Sequence, residues 1–159
     1  MSDLNVDDFC KDAARALTAL YAAFPRAHTL FVEEIAGAAE EDEFGLPSPR
    51  HMACLAALLW LADEGLLRYV DTIRHEAVDQ AVLTARTFTL LSAPPPGYEP
   101  PDAEALPGTA LQERRTRVNR LREALAERSS SRIRAAVMEL LEALTDARPR
   151  GRTDCPDSR

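Results

Sequence analysis

The chain has 159 residues, with 26 acidic against 19 basic side chains, a formal charge of −7, and 46% hydrophobic against 28% charged residues. That balance excludes wholesale disorder and suits one packed domain with an appendage. The longest apolar run, residues 52–62, is far too short to span a membrane, and the acidic start has neither the positive nor the apolar region of a signal peptide. The reading is a cytoplasmic protein with no membrane partner.

Cys10, Cys54 and Cys155 share no metal or redox spacing, and an odd number without export signals reads as reduced thiols. Cys10 and Cys54 fall in helical patterns as core filler, while Cys155 lies in a polar tail. The net charge conceals an asymmetry. Residues 1–49 carry three basic against ten acidic side chains, whereas residues 112–134 carry eight arginines against three acids. An acidic front makes general polyanion affinity unfavourable, but the basic back leaves room for one local basic surface.

In chain order, residues 5–8 supply capping oxygens and negative charge for a first helix. Phe9, Ala13, Ala16, Leu17, Leu20 and Phe24 recur on one helical face, and Pro25 ends it. Residues 29–32, β-branched and aromatic, predict a short edge strand, and residues 33–39 a short second helix with Ile35 and Ala36 inward. An acidic loop follows over 40–49, with Phe44 and Leu46 expected to tuck back onto the core. Ser48 and Pro49 predict the start of a third helix that runs to Glu64 and stops at Gly65 in a left-handed cap. Strands are expected over 66–73 and 80–83, joined by a tip at 74–79, and Thr84 caps a fourth helix over 85–91.

Residues 93–108, with Pro94-Pro95-Pro96 and Pro100-Pro101, read as a semi-rigid linker. Residues 109–128 predict one helix with a narrow stripe of Leu111, Val118, Leu121 and Leu125. Residues 132–147 predict another, with Ile133, Val137, Leu140, Leu141 and Leu144. Neither buries its stripe alone, so the two must pack on each other, on the domain or on a second copy; the expectation is a homodimer through both stripes. Residues 148–159 read as a disordered tail.

The order of helix, strand, helix, helix, ribbon and helix over residues 5–92 resembles the winged helix-turn-helix superfamily. Leu58-Leu59-Trp60-Leu61-Ala62-Asp63-Glu64-Gly65-Leu66-Leu67 resembles the third helix entering the wing. Val82-Leu83-Thr84-Ala85-Arg86-Thr87 is similar to the exit from it, where many members read leucine-threonine, two residues, then glycine; Thr87 stands in the glycine's place. The resemblance implies a mainly α fold with a small β-wing, followed here by a two-helix C-terminal extension over 109–147. The superfamily holds DNA-binding regulators and also modules that bind only proteins, so fold does not decide function.

If the resemblance carries DNA binding, the start of the third helix enters the major groove, with Arg50 and His51 reaching base edges. Arg74 on the wing, beside His75, would approach the backbone, and Arg114, Arg115 and Arg117 would add salt-sensitive phosphate contacts. Beyond Arg50 and His51 the helix is small and apolar, with Trp60 its one large exposed candidate, which also suits a covering protein partner. The plainer reading is a solvated first turn, a core tryptophan and a hydrated arginine face. His51 and Cys54 are three apart on one helix, but no second pair completes a metal site. With no phosphate loop, nucleophile elbow or paired-histidine motif, no catalytic residue, metal ligand or cofactor is assigned. The expected function is a non-enzymatic, DNA-binding and transcription-regulatory protein, with a protein-interaction module in a larger assembly as the alternative.

Overall fold

The computed structural model describes residues 3–38 and 42–147. Its longest helix, α1 (Leu4–Ala23), ends where Phe24 turns extended ahead of Pro25, the conformation that a following proline imposes. Cys10, Ala13, Ala14, Ala16 and Leu17 on α1 have no exposed surface at all. Bearings that far apart around one helix can all be covered only if neighbours pack on more than one side.

Strand β1 (His28–Phe31) leads directly into α2 (Val32–Ala36), which stops at Gly37 with φ 98°, a left-handed conformation open to glycine. The second helix is therefore shorter than its predicted 33–39. Helix α3 (Pro49–Asp63) is capped by the Ser48 side chain, which accepts a bond from the His51 backbone N–H, with Pro49 in the first turn where no N–H is needed. At its other end Leu66 N–H donates to the Leu61 carbonyl at 2.9 Å across Gly65, whose φ is +80°. That is a glycine-closed helix terminus of the kind the sequence predicts.

The ribbon that follows has β2 (Leu67–Arg68) and β3 (Asp71–Ile73) running antiparallel to β4 (Ala77–Leu83). The returning strand begins three residues earlier than expected and the outgoing one is interrupted at Tyr69 and Val70. Strand β4 also pairs with β1 on its other edge, Leu30 opposite Val78 and Phe31 opposite Ala77. A bulge between His28 and Leu30 faces Gln80, whose φ is 51°, the local distortion that an unpaired residue brings. Thr84 caps α4 (Ala85–Ser92).

The C-terminal part departs from the sequence reading in two ways. The single helix expected over 109–128 is two, α5 (Gly108–Arg114) and α6 (Arg117–Ala126). Thr116 is extended between them, caps α6 through the Asn119 N–H, and the Arg117 N–H bonds the Ala93 carbonyl at 3.0 Å. Helix α7 (Ser130–Asp146) is capped by Ser129. The stripes on α6 and α7, assigned from sequence to a second copy, are covered within the chain. Val118, Leu121, Ile133, Val137 and Leu140 are buried, and α6 and α7 pack on each other, on α1 and on α4. One continuous core joins them to Leu17, Leu58 and Val78, so a dimer seam made of these stripes would require α6 and α7 to leave α1.

Phe44 and Leu46 do not tuck in; they are 80% and 59% exposed. Ala39, Glu40 and Glu41, and the tail with Cys155, lie outside the described residues. Among the described residues, no helix is long and apolar enough to cross a membrane.

Because the core is continuous, Leu140→Ala on α7 should lower stability by ~2–5 kcal/mol, read in urea by Trp60 fluorescence on α3. A Trp60 transition unmoved by that change would mean that the C-terminal helices unfold separately.

Candidate functional site: the outer face of α3

Of the residues that the sequence singles out, Arg50 is the most altered by its surroundings. Its guanidinium donates to both oxygens of Asp12, at 2.7 Å and 2.5 Å, with Asp8 at 3.8 Å. Asp12 is 1% exposed on the apolar face of α1, where an ionised carboxylate survives only with a bound cation. Arg50 is that cation, and the same hydrogen bonds hold its own proton more tightly than usual. It joins α3 to α1 and does not present a free fork to solvent. His51 is buried, with Nε2 at 2.9 Å from the Gly37 carbonyl, so it fastens the end of α2 to the start of α3.

Cys54, one turn on, is fully covered; burial first, and then the Asp12 charge, push its thiol up to about 12. Cys10 is raised too, chiefly by burial. Both are core residues, and no group of three or more potential metal ligands exists among the described residues.

The arginines expected to meet phosphate are also engaged. Arg114 bridges Asp102 and Glu123 at 2.7 Å and 2.6 Å, and Arg115 grips Glu99 with both fork nitrogens. Arg117 is 7% exposed, bonds both oxygens of Glu139 on α7, and donates to the Leu90 carbonyl on α4 at 3.2 Å. Arg120 lies over the Tyr98 ring, Arg122 over Tyr21 of α1, and Arg134 reaches Asp7 of α1 at 3.3 Å. Most of the basic segment is spent on fastening the C-terminal helices to the proline-rich stretch, to α1 and to one another.

Arg74 remains exposed at the ribbon tip, with φ 49°. With His75 and Glu76 it borders a cavity of about 600 Å³ whose other walls include Phe31, Leu46 and His51. The cavity carries both signs of charge, and Arg74 and Arg50 are not brought together there.

The outer face of α3 is the surface that these contacts leave over. Pro49, Met52, Ala53, Ala56 and Trp60 face outward, and the first exposed charge on the helix is Asp63. Met52 and Trp60 are 40% and 42% exposed, so Trp60 is not the core residue of the plainer reading. Phe9 of α1 meets the Trp60 ring edge-on, centroids 5.3 Å apart, which anchors the indole while part of it stays exposed.

Sequence reasoning missed Asp12, although a carboxylate three residues after Phe9 and four before Ala16 falls inside the apolar stripe and demands a cation. It also missed Arg86, on α4, for which the sequence carries no signal. No family model matches the chain, and no curated protein or solved structure matches it.

Two outcomes follow from the pairing at Asp12. Arg50→Met, which strands a buried carboxylate, should cost ~3–5 kcal/mol, and Asp12→Asn, which leaves an arginine able to hydrate, only ~1–2 kcal/mol, both from urea unfolding. Cys54 holds its proton in the folded chain up to about 12, whereas an unfolded thiol releases it near 9. Its contribution to stability is therefore constant below pH 9 and falls as the pH rises toward 12. Wild type should lose stability relative to Cys54→Val across that window.

Proposed function

We propose that the chain is a winged-helix module that docks a protein partner on the outer face of α3, where DNA-binding members offer that helix to the major groove. The order α1, β1, α2, α3, ribbon, α4 supports the winged-helix part of the reading. The face formed by Met52, Ala53, Ala56 and Trp60 carries the rest, because it offers no hydrogen-bonding side chain to a base edge apart from the indole N–H. Groove reading relies on forked donors and acceptors such as arginine and asparagine. A half-exposed tryptophan beside methionine, ringed by small residues, is instead the composition of an interface centre.

The DNA-binding, transcription-regulatory reading needs free cations. Arg50, Arg114, Arg115 and Arg117 would have to give up intramolecular carboxylates to serve a phosphate, and the chain as a whole carries −7. Of the residues named for DNA, Arg74 alone stands exposed without such a bridge among the described residues.

A photo-crosslinking residue at Ala56 should give a discrete protein adduct in cells. Trp60→Ala should weaken capture by about 30-fold or more, the loss expected of an interface hot spot, with unchanged unfolding. Micromolar binding to random duplex DNA that falls steeply with salt and is lost in Arg74→Ala would overturn the reading in favour of the regulator.

A further inference from the structure

Arg86 lines a cleft of about 160 Å³ with Trp60 and Glu64 of α3, with Leu66, and with Leu141, Leu144 and Thr145 at the end of α7. Its Nε and Nη2 are covered by protein, and neither has a hydrogen-bond partner among the described residues. Buried polar nitrogens are nearly always satisfied, and those that are not call for a reason. Elsewhere in this chain the inner edge of a covered arginine meets a carboxylate, as at Arg117 and Glu139.

We propose that this cleft receives a carboxylate on a short apolar stem, carried by the protein partner that covers α3; the inference rests on the docking reading above. Nε and Nη2 form the edge of a guanidinium that meets both oxygens of one carboxylate in parallel, and because both are covered in the unbound chain the incoming carboxylate must displace what covers them. Leu66, Leu141, Leu144 and the Trp60 ring suit a hydrocarbon stem, and the Thr145 hydroxyl already donates to the Leu141 carbonyl at 3.0 Å, which leaves little for the further oxygens of a phosphate. Trp60 connects the two surfaces. It ends the Met52, Ala56, Trp60 ridge of α3 and also walls the cleft, so a peptide lying along the ridge runs into Arg86.

The test follows the Arg86 Nε–H resonance in the full chain while 3-phenylpropionate, its neutral amide or inorganic phosphate is added. The carboxylate should shift it saturably, the amide should leave it in place and phosphate should act more weakly. Arg86→Met should abolish the response with an unfolding midpoint equal to or above wild type, since two unsatisfied donors are gone. It should also weaken the Ala56 adduct by about tenfold or more, the usual loss for a charge-assisted pair. An equal response to amide or phosphate, or a lower unfolding midpoint in Arg86→Met, overturns the carboxylate assignment. If the probe binds but the adduct ignores Arg86→Met, the partner half of the proposal is refuted and the cleft is a small-molecule carboxylate site. If the probe binds and no adduct forms at all, the docking reading fails. If the adduct needs Trp60 but no carboxylate moves Arg86, docking stands and this inference falls.

Discussion

Ala13, Ala14 and Ala16 point along well-separated bearings of α1, yet none has any exposed surface. A helix can be enclosed like that only where its side chains are short enough for neighbours to approach closely, near the lower end of the usual interaxial range of ~8–10 Å. α3, α6 and α7 all pack on α1, and a larger residue at these positions would push a helix away. The arrangement decides what remains available outside. The C-terminal stripes are used up against α1, and α3 gives its inner face to α1 and the sheet, so its Met52 and Trp60 side is left over.

Charge follows the same logic. A −7 chain with a basic back half looks in sequence like a bipolar molecule that offers arginines to a polyanion. In the fold those arginines act as struts. Exposed pairs such as Arg115 with Glu99 contribute only ~0.2–1 kcal/mol each, and their main effect is orientation. Arg117 is different: nearly buried, it touches α4 and α7 together, so it sets the angle at which the last helix returns to the body.

How much of this was legible depended on the range of the signal. Local chemistry was readable. Ser48 with Pro49, Gly65 and Thr84 mark helix ends by side-chain oxygens, a missing N–H or a left-handed φ, and each stands at or beside the terminus expected for it. The break at Thr116 was missed because a charged, leucine-bearing segment keeps its helical period across it. What interrupts it is a distant acceptor, the Ala93 carbonyl. Arg50 was legible as a cation at the start of a helix, but its partner lies 38 residues earlier, and no local pattern reports that distance. Phe44 and Leu46 show the converse: apolar identity suggested burial, and both stay largely exposed.

Thr84 has a consequence beyond capping. Its hydroxyl donates to the Gly65 carbonyl at 2.8 Å while its N–H bonds the Leu66 carbonyl, so the ribbon leaves and re-enters the body through a single gate. An excursion whose two ends are latched together can change length without moving what lies behind the latch, because loop closure depends only weakly on the number of residues enclosed. Arg74 and His75 at the far end are therefore where this architecture can take on or shed sequence, since Glu76 beside them is held by the Val32 N–H at 2.8 Å, and where one lineage could reshape the ribbon tip while α3 and α4 keep their places.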